Sequence, residues 1–105
     1  MRTKRNIMLL RTVRMTFKPE EVATFLSIFE SSKSKIRNFE GCLHLELHQD
    51  YHQPNIYSTY SKWEDDLALD RYRTSALFKE VWSKTKVLFE EKPIAFSQKQ
   101  HTIVS

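Results

Sequence analysis

The chain has 105 residues, 40% of them hydrophobic and 12% aromatic, which is enough for one packed domain and excludes global disorder. Its net charge is +4, but beyond the first five residues the basic side chains are scattered, so we expect no nucleic-acid partner. A single cysteine excludes an internal disulfide and a cysteine-based zinc site.

The cellular location is predicted from what the sequence lacks. No apolar run approaches the ~20 residues of a membrane span, so we expect no membrane partner. The apolar run of four residues before Arg11 is shorter than the about seven that a signal peptide needs. Together with the lone Cys42, which suits a reducing compartment, these features predict a cytoplasmic protein.

The first predicted element is a strand over residues 7–17. This run is rich in apolar and β-branched side chains and contains neither glycine nor proline. Alternation places Arg11 on one face together with Val13 and Met15. Because the opposite face also carries apolar groups, we expect both faces to be covered at least in part.

A helix and a β-hairpin are predicted next. Pro19 suits the first position of a helix, apolar residues then recur at helical spacing, and Gly41 follows the predicted end. Residues 42–49 alternate between leucines and mostly polar side chains, which predicts a strand with one apolar face. After a polar loop, residues 56–62 form the second strand of the hairpin.

Two helices are predicted in the last third of the chain. Residues 61–64, Ser-Lys-Trp-Glu, have the spacing of a capping box, which predicts a short helix that begins near Trp63 or Glu64. A break near residues 74–75 precedes a second helix, which we expect to end at Pro93.

A last strand over about residues 94–100 completes the order strand, helix, strand, strand, helix in two pieces, strand. This is the order of an α+β, ferredoxin-like βαββαβ fold, a four-stranded antiparallel sheet with helices on one face. We expect one domain over residues 1–105, with its core at about 7–100. Because the first strand is apolar on both sides, burial of the helix-free face predicts a homodimer.

Three segments carry a resemblance to a known family. They are Phe39-Glu40-Gly41-Cys42-Leu43, Tyr60-Ser61-Lys62-Trp63-Glu64 and the stretch from Leu69 to Phe78. In this order and spacing, they make residues 7–100 resemble the antibiotic biosynthesis monooxygenase (ABM) family of dimeric α+β barrels. The resemblance implies a homodimer with a pocket in each subunit between sheet and helices. Family members include cofactor-free oxygenases of quinols and polycyclic phenols, and haem-degrading enzymes.

The haem-degrading branch of that family is matched less well. Its haem-ligating histidine would fall at Trp82 and its first-strand asparagine near Thr12, although its tryptophan matches Trp63. Other members often have histidine where Tyr72 stands. Without the axial ligand we do not expect haem degradation, and the chain has no Gly-rich phosphate loop. We therefore expect no haem, flavin or metal cofactor.

An oxygenase without a cofactor must hold an electron-rich aromatic anion, exclude water, and supply a proton acceptor and a partner for the oxyanion. The candidates for substrate binding are Trp63, Phe78, Trp82 and Arg73. The candidates for catalysis are Tyr72 for its hydroxyl, His44 as a base near neutral pH, and Arg11 as the cation that stabilises a phenolate, a role that Arg73 could also fill.

The aromatic candidates also have purely structural interpretations. Phe78 and Trp82 have the spacing of helix residues that pack in a core. Trp63 could be a plug at the end of a strand as readily as a pocket wall. The hydroxyl of Tyr72 could be hydrogen-bonded within the core.

The spacing along the strands indicates the partners that the remaining polar candidates can reach. Arg11 on a mostly apolar face needs a partner, and Glu46 across the sheet is the expected one. His44 and His48 flank Glu46, but their Cα atoms would lie roughly 13–14 Å apart on a straight strand, so we expect no metal site. Cys42 has no neighbouring base in the sequence and is expected to be an inert thiol.

The leading functional interpretation is a small, cofactor-independent oxygenase of the ABM or quinol monooxygenase type, acting on a quinol or phenolic substrate. The alternative is a non-catalytic protein that binds a small ligand or a partner on the same fold, because a fold does not fix a function. The expected partners are a small aromatic molecule and a second copy of the chain.

Overall fold

The structure is a computed structural model that describes residues 7–105. Its elements are β1 Leu9–Thr16, α1 Val22–Arg37, β2 Cys42–Gln49, β3 Ile56–Trp63, α2 Asp66–Arg73, α3 Ala76–Lys86 and β4 Ile94–Gln98. A single 3-10 turn, Pro19–Glu21, leads into α1, as the proline at its first position favours. The four strands form one antiparallel sheet in the order β2-β3-β1-β4, which confirms the predicted α+β, ferredoxin-like fold.

Two clusters of buried apolar side chains lie on the helix-covered face of the sheet. One joins the ends of β1 and β3 to α1 and contains Met15, Phe17, Phe25, Tyr57 and Leu88. The other joins β2 and β3 to α2 and contains Cys42, Trp63, Ala68 and Leu69. None of the helices within residues 7–105 combines the length and apolarity that crossing a bilayer requires.

The start of α2 differs from the prediction. Ser61 does not cap a helix, because it lies inside β3 and its Oγ accepts a hydrogen bond from the Trp63 indole. Asp65 is the cap instead, with its Oδ1 accepting from the backbone N–H of Ala68 at 2.9 Å. The predicted helix start near Trp63 or Glu64 was therefore wrong, since the strand continues through Trp63.

A β-bulge in β2 changes the predicted alternation at its first residues. The pairing with β3 runs Cys42 to Trp63 and then His44 to Lys62, so Leu43 has no direct partner. As a result Cys42 is buried on the helix side, and Leu43 is 43% exposed rather than facing the core with Leu45. The repeat of leucine at every second position gave no sign of the extra residue.

The other face of the sheet has no helix over it within residues 7–105. The strand registers place His44, Glu46, His48, Tyr60, Thr12, Arg14, Ile94 and Phe96 there. Ile94 and Phe96 on β4 are 59% and 43% exposed. This face therefore combines exposed apolar groups with a polar edge at β2.

The turn between β2 and β3 is closed by Asp50, whose pKa is held below its ordinary value by hydrogen bonds from the backbone N–H of Gln53 and His52. Because the pKa of Asp50 is lower in the folded state, its carboxylate stabilises the fold at pH values above about 3.9, the ordinary carboxyl pKa. This stabilisation is lost as the pH falls through the pKa of the folded state. We expect Asp50→Asn to lower the melting temperature at about pH 7 and much less at about pH 3. Circular-dichroism melts of both proteins check this, and an equal deficit at both pH values would contradict it.

Candidate active site

A cavity of about 270 Å³ lies between the sheet and the helices, bordered by both apolar clusters. β1 and β3 contribute Arg11, Ser61 and Trp63 to its wall, and the helices contribute Tyr72, Arg73, Phe78 and Trp82. All the predicted site residues except His44 therefore border one cavity. An apolar cavity of about 150 Å³ holds one benzene, so this one has room for about two fused rings.

A continuous row of aromatic rings forms one wall of the cavity. Tyr72 stacks on Trp63 with ring centroids 5.0 Å apart and an interplanar angle of 26°. Phe78 meets Tyr72 edge-on at 5.2 Å, and it stacks on Trp82 at 5.8 Å and 11°. The row runs from the end of β3 through α2 to α3, so three separate elements must pack correctly to build it.

The local sequence explains why these side chains point the same way. Alternation along β3 places Ser61 and Trp63 on one face of the sheet. The α3 helix begins at a cap in which the Ser75 Oγ accepts from the N–H of Phe78 at 3.1 Å. From that start Phe78 and Trp82, four residues apart, lie on one side of the helix and face the cavity.

Tyr72 is positioned as a hydrogen-bond donor. Burial, with a smaller contribution from Cys42, raises the pKa of its phenol well above the ordinary value. Its hydroxyl therefore stays protonated near neutral pH. Within residues 7–105 it makes no hydrogen bond to another protein group, so the core partner considered as an alternative for this hydroxyl is not found.

Ser61 is a cavity residue that the sequence analysis missed. Its Oγ accepts the Trp63 Nε1–H at 2.9 Å, and this leaves the serine's own proton free to be donated. The side chain is buried and lies on the cavity wall. Its position two residues before Trp63 on a strand was the available signal, because residues at that spacing share a face.

The two arginines border the cavity together. Arg11 projects from β1 toward the helices, and its Nη1 donates to Ser97 Oγ at 3.0 Å. Burial, and then the positive charge of Arg73, lower the pKa of Arg11. The predicted Arg11–Glu46 pairing was wrong, since Glu46 lies on the helix-free face, where the strand alternation places it.

His44 does not border the cavity. Its side chain is on the helix-free face, where it and His48 each donate a hydrogen bond to one oxygen of Glu46 and lower the pKa of that carboxyl. The alternation of β2 separated His44 from Leu45 and Leu47 but did not say which of the two faces the helices cover. Among residues 7–105 no three His, Cys, Asp or Glu side chains are grouped to hold a metal ion.

Cys42 lies beneath the aromatic row rather than in the cavity. Burial raises the pKa of its thiol, and the Sγ donates weakly to the carbonyl oxygen of His44 at 3.7 Å. A protonated thiol is a poor nucleophile, which fits the expected inert role.

The cavity wall contains no imidazole and no carboxylate among residues 7–105. A haem iron would therefore find no histidine ligand there, and Trp82 occupies the wall where the resemblance would place one. The polar groups that the wall does offer are hydroxyls and guanidinium groups. Such a set can hold and stabilise an oxyanion, but it contains no residue that takes up a proton near neutral pH.

Comparison with known proteins gives the same fold. The chain superposes with a TM-score of 0.86 and 21% identity on a conserved protein from Methanosarcina mazei Go1, covering 90% of this chain and 94% of that one. A proposed antibiotic biosynthesis monooxygenase from Caulobacter crescentus CB15 gives a TM-score of 0.85 at 17% identity, with 92% of each chain covered. A protein named antibiotic biosynthesis monooxygenase gives 0.84 at 19% identity, covering 90% of this chain and 99% of that one.

The sequence itself also matches a family model. No curated protein matches the chain. The model of the family described as antibiotic biosynthesis monooxygenase, ABM, matches residues 8–83, which include β1 to β3, α2 and most of α3. This match spans well over half of the chain and contains most of the cavity wall. The chain therefore belongs to the antibiotic biosynthesis monooxygenase family.

Proposed function

We propose that the protein is a cofactor-independent oxygenase that acts on a quinol or phenolic substrate bound in the cavity. The observation that carries this proposal is the row of four aromatic rings beside two guanidinium groups. Aromatic walls bind a flat electron-rich ring and exclude water, and the cations favour its ionised form.

The proposed reaction needs no external reductant. The bound phenolate gives an electron to O2, and recombination forms a C–O bond and a ring hydroperoxide. Loss of water then leaves a quinone, so a phenol and O2 give a quinone and water. The ring supplies all four electrons that reduce O2, two for the oxygen atom that enters the ring and two for the one that leaves as water. In this scheme Arg11 stabilises the phenolate charge, and Tyr72 donates a hydrogen bond to the developing oxyanion.

The test is oxygen consumption by the purified protein with a panel of quinols and phenols, without added flavin or metal. We expect turnover that saturates with substrate and yields one quinone per O2 consumed. A rate no higher than that of the substrate alone, across the panel, would remove the oxygenase proposal. Binding of the same compounds without turnover would then favour the second candidate.

That second candidate is a ligand-binding protein without catalytic activity. It is favoured by one observation, the absence of a carboxylate or imidazole from the cavity wall within residues 7–105. A phenol would have to lose its proton to water rather than to the protein.

If the protein is an enzyme, the same absence of a proton acceptor predicts that quinols and phenols of low pKa are its best substrates.

Tyr72→Phe separates a catalytic hydroxyl from a purely packing role. The change keeps the stacked ring and removes one donor, so we expect a loss of about 1–3 kcal/mol of transition-state stabilisation with little change in melting temperature. Oxygen-uptake kinetics and thermal melts measure the two effects. Tyr51→Phe is the matched control, because Tyr51 is 94% exposed in the loop between β2 and β3. Unchanged turnover with a lowered melting temperature would assign Tyr72 to packing alone.

We also propose that two copies pair through their helix-free sheet faces and close an α+β barrel. Exposed Ile94 and Phe96 lie on that face. A second copy would bury these apolar groups, which water otherwise contacts. The lone Cys42 further supports a reducing, cytoplasmic location, which we propose for the dimer.

Phe96→Asp tests the dimer. Sedimentation equilibrium of the unchanged protein should give about twice the chain mass of 12.6 kDa, and the charge at this position should shift the population to monomer. Val87→Asp, at a 64% exposed position after α3, is the control and should leave the dimer intact. A monomeric unchanged protein would contradict both the dimer and the barrel.

A further inference from the structure

The two arginines at the cavity have no acidic partner in the part of the chain that the structure describes. The ion pairs there join Arg14 to Asp50, Lys33 to Glu30, Lys84 to Glu80, and Glu46 to its two histidines. Within residues 7–105, the guanidinium of Arg11 donates a side-chain hydrogen bond to the neutral Ser97 hydroxyl and none to a carboxylate. A half-buried guanidinium beside a second one is unfavourable unless an anion lies near both.

The position of Arg11 indicates that the anion is part of a ligand bound in the cavity. Its side chain comes from the helix-facing side of the sheet, on the same cross-strand row as Ser61 and Ser97. That row contains two hydroxyls and no carboxylate. Arg73 reaches the same cavity from the last turn of α2 and is exposed at its edge. The positive charge at this side of the cavity is thus balanced by nothing in residues 7–105.

The chemistry of the wall also restricts the kind of anion. A phenol is neutral near pH 7 and the wall offers no proton acceptor among the described residues, whereas a carboxylic acid with a pKa of about 4 is already ionised. A carboxylate also matches the planar fork of arginine, which donates two parallel hydrogen bonds to it.

We propose that the ligand of this cavity is an aromatic carboxylate, with its carboxylate held by Arg11 and Arg73 and its ring against the aromatic row. This rests on the proposed function in that it uses the same cavity, and it narrows the substrate to a quinol or phenol that also carries an acid group. The two guanidinium groups carry two positive charges and the carboxylate one negative charge, so one positive charge remains to favour the phenolate. The aromatic row then supplies contact area, and the arginines set the orientation of the ring.

The test compares binding of 2-naphthoate and 2-naphthamide, which share a ring system and differ in charge, by isothermal titration calorimetry near neutral pH. The unchanged protein should bind the acid at least about tenfold more tightly than the amide. Arg11→Gln and Arg73→Gln should each weaken binding of the acid and leave binding of the amide nearly unchanged. Arg11→Lys should retain part of the preference, because it keeps the charge and loses the fork.

Arg14→Gln is the matched control, since Arg14 lies on the same strand but on the helix-free face. It should keep the full preference for the acid, and melting curves of all variants show whether they remain folded. Equal affinity for acid and amide, binding of neither compound, or a preference that survives the Arg11→Gln/Arg73→Gln double variant would each overturn the proposal. Acid-selective binding without oxygen uptake would retain it and remove only the oxygenase.

Discussion

Replacing Trp63 by alanine should remove about 3–5 kcal/mol of the free energy of unfolding. Trp63 is 1% exposed and packs with Cys42, Ala68 and Leu69. Its indole also stacks on Tyr72 and donates to Ser61, so truncation breaks the aromatic row and leaves that serine without its donor. The free energy of unfolding of a small domain is about 5–15 kcal/mol in total, so the variant should be only marginally stable. Urea unfolding followed by far-UV circular dichroism measures the loss.

Trp82→Ala provides the comparison, because the two tryptophans border the same cavity but differ in burial. Trp82 is half-buried and stacks on Phe78, so its removal should cost clearly less stability. Both variants should weaken binding of a flat aromatic ligand. Equal stability losses in the two variants would contradict the larger structural contribution that burial gives to Trp63.

Replacing Gly41 by alanine should destabilise the protein by about 2–4 kcal/mol, for two separate reasons. Gly41 has φ +89°, a conformation that costs a side-chain-bearing residue about 1–2 kcal/mol. A Cβ at this position would also lie 2.5 Å from the Cβ of Ala68, well inside contact distance. The turn cannot easily move, because the Gly41 carbonyl accepts from the N–H of Glu64 at 2.9 Å.

Two further variants separate the cost of the positive φ from the cost of the steric overlap with Ala68. Gly41→Asn tolerates positive φ better than alanine but keeps the Cβ, so a similar loss would identify the contact as the larger effect. In the double variant Gly41→Ala/Ala68→Gly, the loss should be smaller than the sum of the two single losses. Melting curves of the set measure both effects. An unchanged melting temperature for Gly41→Ala would contradict the tight packing of this turn on α2.

The aromatic row shows how far the candidate site could be predicted. Phe78 and Trp82 could be assigned to one helix face from their spacing, and Tyr72 and Trp63 from the segments that carry the family resemblance. Ser61 was assigned to a helix cap because a capping-box pattern and a strand end look alike in sequence. Only the register of β3 against β1 decides between them, and that register is a long-range property.

Local pattern determined the element order, the α+β class and the grouping of Arg11 with Val13 and Met15 on one face of β1, because helical and strand periodicities are properties of neighbouring residues. The alternation of β2 likewise separated His44 from Leu45 and Leu47. Which face of the sheet the helices cover was decided only by the tertiary structure. Within residues 7–105, the tertiary structure alone decided the bulge at Leu43, the absence of an acidic partner for Arg11, and the position of that arginine and Arg73 at one cavity. Each depends on which residues of distant segments come together, and the sequence of one segment carries no record of its neighbours across the sheet.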